Sequence, residues 1–123
     1  SDGTTWDNRT SGTSENLRGV TYGNGTFVTV GQSGTVLTSS DGTSWDNRTS
    51  GTADWLSGVT YGNATYVAVG HSGRILTSPD GITWTEQISE TSNNLAEVVY
   101  ENGSFLVVGY SGTILTSPDG ITW

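Results

Sequence analysis

The sequence predicts an all-β protein built from four-stranded antiparallel units of about 39 residues, and three observations carry that prediction. Tryptophan recurs at Trp6, Trp45, Trp84 and Trp123, always 39 residues apart, and the segments between align without a gap. Short runs alternate apolar with polar residues, and none shows a helical period with caps. Two-residue turns of the Asn-Gly, Ser-Gly and Asp-Gly kind punctuate each period at the same places. A period of this length marks one supersecondary unit per repeat, which cannot bury its apolar face without its neighbours.

Each element follows in order. In the first repeat LRGVTY, Leu17 to Tyr22, is rich in β-branched and aromatic residues and runs into Asn24-Gly25, a strong hairpin signal. Thr26 to Gly31 returns as the second strand, and Ser33-Gly34 turns it into the third, Thr35 to Ser39. Asp41-Gly42 then leads to a fourth strand over Thr43 to Thr49. The second repeat restates the plan as LSGVTY, TYVAVG, RILTS and ITWTEQI, and the third as LAEVVY, SFLVVG and TILTS. Asn63-Ala64 is the weakest turn, because alanine resists the positive φ that a type I′ turn demands. Counted from the first residue, the array divides into 1–39, 40–78 and 79–117 with a remainder at 118–123.

A four-stranded meander of this size is the blade of a β-propeller, whose blades stack radially. The competing architecture is a β-solenoid, and three tight hairpin turns per repeat favour the blade. Propellers close with about 4–8 blades. The three blades here therefore predict a window of a longer array, or a subunit completed by further copies of itself. Either arrangement would cover the apolar faces of the terminal blades.

Composition excludes several functions. There is no cysteine, so disulfides and thiol chemistry are ruled out; there is no methionine either, which marks a processed or excised product. A net charge of -8 with four arginines and no lysine leaves no footprint for nucleic acid or an anionic membrane. No apolar run approaches the roughly 20 residues that span a bilayer.

The 39-residue period ends each time on a recognisable phrase: SDGTTW at the start, SSDGTSW at Ser39 to Trp45, and SPDGITW at Ser78 to Trp84 and Ser117 to Trp123. Asp2, Asp41, Asp80 and Asp119 can accept N–H groups of their own turn, glycine can take positive φ, and the tryptophan can pack down as the outer strand starts. The phrase resembles the Asp-box of the bacterial-neuraminidase-repeat propellers, Ser-x-Asp-x-Gly-x-Thr-Trp, with one residue fewer between aspartate and glycine. The resemblance implies a structural role for the box, placed between the third and fourth strands of a blade.

Candidate chemistry is sparse. The one histidine, His71, stands where the other repeats have Gln32 and Tyr110, and no acidic neighbour in sequence would activate it. Carboxylates at Asp54, Glu86, Glu90, Glu97 and Glu101 have no spacing that fixes a glycosidase pair, and one Asp per turn makes a poor cation site. Sequence variation concentrates at one end of the blades, where the loop into each first strand meets the turn between second and third strands. There Asp54, Trp55, His71, Arg74 and Tyr110 offer the aromatic and polar groups that a glycan or protein ligand uses. Asn8, Asn24, Asn47, Asn63 and Asn102 head Asn-x-Ser/Thr acceptor sequences for N-linked glycans.

These features predict a non-enzymatic, extracellular or cell-surface repeat module without cofactor or metal, acting as a structural or adhesive protein and binding glycans or proteins through its loops. The alternative is a fragment of a neuraminidase-like or other glycoside-processing propeller whose catalytic residues lie outside the chain.

Overall fold

The computed structural model describes residues 2–123. It is all-β, with three antiparallel sheets in succession. The first comprises β1 (Leu17–Gly23), β2 (Thr26–Gly31), β3 (Val36–Ser39) and β4 (Asp46–Arg48). The second repeats it as β5 (Leu56–Gly62), β6 (Thr65–Gly70), β7 (Ile75–Ser78) and β8 (Thr85–Gln87); the third holds β9 (Leu95–Glu101), β10 (Ser104–Gly109) and β11 (Ile114–Ser117). Strands pair in chain order, so each sheet is a meander and each is one propeller blade. The blades lie out of phase with a count from the first residue, since a blade begins at Leu17, Leu56 or Leu95.

Local chemistry sets the turns. Asn24 and Gly25 both have positive φ, at 46° and 77°, as do Asn102 and Gly103. This is the type I′ geometry that matches the strand twist. Ala64 takes the same conformation at φ 57°, where its Cβ is strained. The turn after the second strand is a single 3-10 turn in which Ser33 and Gly34 both have positive φ. It closes with the Thr35 N–H donating to the Gln32 carbonyl, and for that reason the third strand starts at Val36 rather than Thr35.

The fourth strand is much shorter than the expected Thr43 to Thr49. The box turn holds the chain through Trp45, and pairing with β3 resumes only at Asp46 opposite Thr38. Asp7 to Arg9 has the same sequence as β4, Asp46 to Arg48, yet forms no strand, because no third strand lies beside it.

The core lies between sheets. Val28, Val30 and Val36 of the first blade pack against Leu56, Val59, Tyr66, Ala68 and Leu76 of the second. Val67, Val69 and Ile75 of the second pack in the same way against Leu95, Val98, Phe105 and Val107 of the third. Each fully buried aliphatic side chain in these layers contributes about 1.5–3 kcal/mol relative to exposure. The Tyr66 hydroxyl also crosses the first layer to donate to the Gly23 carbonyl, and burial raises its pKa.

The box turn is an Asx turn docked on the preceding blade. Asp80 accepts the N–H groups of Ile82 and Thr83 at 2.8 and 2.9 Å, the Gly81 N–H donates to Ser78 Oγ at 2.7 Å, and the Trp84 indole N–H donates to the Gly81 carbonyl at 2.8 Å. Gly81 is buried against Val28 and Thr38 of the first blade, and Gly120 against Val67 of the second. The tryptophans are less enclosed than the sequence suggests. Trp45, Trp84 and Trp123 are half-buried, Trp45 and Trp123 beside the phenylalanines of their own blades, whereas Trp6 has no sheet beneath it and is 84% exposed.

Candidate functional site

The end of each blade that varies in sequence is assembled by one backbone contact repeated three times. The N–H of Gln32, His71 or Tyr110 donates to the carbonyl of Asn16, Trp55 or Asn94, at 2.8 to 3.0 Å. This bond locks the turn between second and third strands onto the loop entering the first. The turn glycines are needed there: a Cβ on Gly73 would lie 1.9 Å from the Thr91 carbonyl oxygen. A further bond from the Ser72 N–H to Asn94 Oδ1, at 3.0 Å, ties the second blade to the third.

Onto this frame the second blade places its distinctive side chains. Trp55 and His71 stack with ring centroids 5.1 Å apart. The Arg18 guanidinium, from the first blade, lies 5.5 Å from the centre of the Trp55 ring, within cation–π range. Arg74 donates to Asp54 at 2.7 Å and also pairs with Glu86 on β8. Those two carboxylates, Asp54 foremost, strengthen the hold of its guanidinium on its proton. Trp55 remains 40% exposed.

The structure thus brings Asp54, Trp55, His71 and Arg74 together. Tyr110 stands apart: it occupies the matching place one blade on, is 63% exposed, and stacks on no aromatic ring among the described residues. Two members of the cluster were absent from the sequence-based set. Arg18 reaches Trp55 because a bulge between Leu17 and Gly19 re-aims its side chain, and a bulge leaves no sequence mark beyond the glycine. Glu86 joins because the register of β7 with β8 puts Ile75 opposite Gln87, so residues 74 and 86 share a side; assuming that pairing from the hairpin would have found it.

The box carboxylates serve their own turns. Asp41 accepts the N–H groups of Ser44 and Thr43, which with Ser39 lower its pKa; Asp80 and Asp119 are lowered by the corresponding backbone donors, Thr83 and Ile82, and Thr122 and Ile121. The side chain and N–H of Thr4, with the N–H of Thr5, bring Asp2 down to about 2. All five asparagines of the acceptor sequences, Asn8, Asn24, Asn47, Asn63 and Asn102, are exposed. Among the described residues no three His, Asp or Glu side chains converge as a metal site. An open groove of about 420 Å³ runs beneath the loop from Asn47 to Ala53, and a similar groove recurs in the second blade, so it belongs to the repeat rather than to one site.

Three meander sheets stacked face to face, with ligand-type side chains gathered at one blade end, define part of a β-propeller. Neither a protein-family model nor a curated protein matches the sequence. Among solved structures the chain is similar to YCF48, in the structure described as "YCF48 bound to D1 peptide", with a TM-score of 0.73 and 18% identity over 88% of this chain. The likeness is one of fold, and the chain spans about 38% of that neighbour's length.

Proposed function

We propose that the chain is a non-enzymatic binding module of a propeller, which holds an acidic protein segment at the blade end formed by Arg18, Trp55, His71 and Arg74. The observation that carries this reading is the cluster itself: an exposed indole flanked by an imidazole and a guanidinium. Arg74 is neutralised by Asp54 and Glu86, whereas Arg18 has no carboxylate partner among the described residues. On a chain of net charge -8, that free guanidinium against an aromatic ring is a place for a carboxylate. The peptide carried by the similar propeller supports the choice of a protein ligand. The Ser-Asp-Gly-Trp turn supports kinship with the Asp-box propellers, in which the box is structural. Acceptor asparagines at exposed hairpin tips support a location outside the cell.

Binding of panels of acidic, neutral and basic peptides, and of a glycan panel, tests the reading. Retention of acidic peptides, lost in Arg18→Ala and Trp55→Ala with thermal unfolding unchanged, is the expected result. Variants that bind as the parent does would overturn the assignment of the site, and turnover of a fluorogenic glycoside by the chain would overturn the non-enzymatic reading.

A further inference from the structure

The blade end around Trp55 holds donors that the fold leaves free. Trp6, Trp84 and Trp123 each donate the indole N–H to a glycine carbonyl of their own turn. The indole of Trp55 has no acceptor among the described residues, and neither the His71 ring nor the Arg18 guanidinium has one. The joint between the second and third blades repeats the same frame with different chemistry. Ser57, Asn94, Tyr110 and Thr113 stand there in the places of Arg18, Trp55, His71 and Arg74. Most of its polar groups are already engaged. Asn94 Oδ1 accepts the Ser72 N–H at 3.0 Å, Asn93 Nδ2 donates to Thr113 Oγ1 at 2.9 Å, and that hydroxyl donates to the Tyr110 carbonyl at 2.8 Å. What this second joint presents to a ligand is the largely exposed Tyr110 ring, which stacks on no other aromatic ring among the described residues.

The two features are one blade apart. The N–H groups of His71 and Tyr110 make the same bond to the entering loop of their own blade, so the two side chains start from equivalent points. Stacked sheets lie about 10 Å apart. A β-strand crossing that gap would turn side chains three residues apart to opposite faces, because its period is two. A polyproline II segment has three residues per turn and advances about 9 Å in one turn, which puts residues i and i+3 on one side at the spacing of the blades. Charge sets the course. The Glu15 carboxylate accepts from Ser33 at the turn of the first blade, so an acidic segment anchored at Arg18 runs toward the third blade instead. The ring at its far end suits a proline, which docks on aromatic side chains and holds the chain in this conformation. We infer, resting on the peptide-binding reading above, that the ligand is an acidic segment in the polyproline II conformation. Its carboxylate lies at Arg18, Trp55 and His71, and a proline three residues away lies on the Tyr110 ring.

Fluorescence anisotropy tests this with labelled peptides that carry a single glutamate and a single proline in an alanine background. The proline is placed beside the glutamate and then stepwise farther from it, in both chain directions. The peptide with a spacing of three should bind tightest in one direction, by about three- to tenfold over its neighbours in the series. Tyr110→Ala should erase that margin and leave the other acidic peptides bound as before, whereas Tyr110→Phe should keep it. Tyr110 is exposed, so these substitutions leave the fold intact, and thermal unfolding of each variant checks this. An affinity that ignores spacing, a maximum at another spacing, or a margin that survives Tyr110→Ala would overturn the inference. In those three cases the reading of the site still stands if Arg18→Ala abolishes binding of the whole series. An Arg18→Ala variant that binds the series as the parent does, or a parent chain that binds none of it, would overturn that reading and the inference with it.

Discussion

Gly62→Ala perturbs a single atom and reports on the whole blade joint. The added Cβ would sit 2.1 Å from Tyr100 Cγ and 2.6 Å from Tyr100 Cβ, where ordinary contact begins at about 3.4 Å, so blade or ring must retreat by more than an ångström. Retreat is hindered, because the Tyr100 ring lies 4.7 Å from Phe105, which is itself fully buried in the second core layer. Overpacking of this kind costs about 1–3 kcal/mol. The cause can be isolated by removing the whole side chain, because an alanine at 100 would keep the Cβ that the new methyl meets at 2.6 Å: Tyr100→Gly alone loses packing, but Gly62→Ala/Tyr100→Gly should lose little more, giving a coupling of about 1–3 kcal/mol in a double-mutant cycle. Urea unfolding of the four proteins, followed by tryptophan fluorescence with m unchanged, measures it. A Gly62→Ala variant within about 0.5 kcal/mol of the parent, or a double mutant whose loss is the sum of the single losses, would refute the account of the joint.

Three further outcomes follow. Ala64 and Glu90 have φ of 57° and 60° at positions where other repeats carry glycine. Relief of the left-handed strain, about 1–2 kcal/mol, less the greater unfolded freedom of glycine, predicts that Ala64→Gly and Glu90→Gly each raise stability by about 0.5–1 kcal/mol in the same unfolding assay. Trp84→Ala should cost less than the roughly 3–5 kcal/mol of a fully buried tryptophan, because Trp84 is half-buried, while Trp6→Ala should lie within about 0.5 kcal/mol of the parent. Acid should destabilise the fold through the box: Asp41, Asp80 and Asp119 are held below their ordinary 3.8 in the folded chain, so the unfolded chain binds protons first. Their contribution is complete above about pH 4 and is lost as pH falls through the lowered folded values; Asp80→Asn should flatten that part of a thermal-melt pH profile.

Much of this molecule was legible without coordinates. The 39-residue period, the Asn-Gly turns and the alternation of short runs specify meander blades, because strand order and turn type are decided by residues a few positions apart. The box turn is local in the same sense. Around Asp2 it forms with no blade beneath it, the Thr4 and Thr5 N–H groups donating to the carboxylate at 2.9 and 3.2 Å. The variable blade end was also visible, since Asp54, Trp55, His71 and Arg74 differ from their counterparts in the other repeats.

Tertiary structure decided what depends on a neighbour. Asp-Asn-Arg is a strand at Asp46 to Arg48, where β3 supplies partners, and irregular at Asp7 to Arg9, where none stands beside it. A tryptophan in the same phrase is half-buried over its sheet at Trp84 and 84% exposed at Trp6. Arg18 joined the cluster through a bulge, and Glu86 through the register of β7 and β8. The glycines of the inner strand look like ordinary loss of a side chain in a linear sequence. Only the approach of the next blade shows that Gly23 and Gly62 are the seats of Tyr61 and Tyr100. Packing between repeats is a contact between residues about 39 apart, and neither local propensity nor turn chemistry reaches that far.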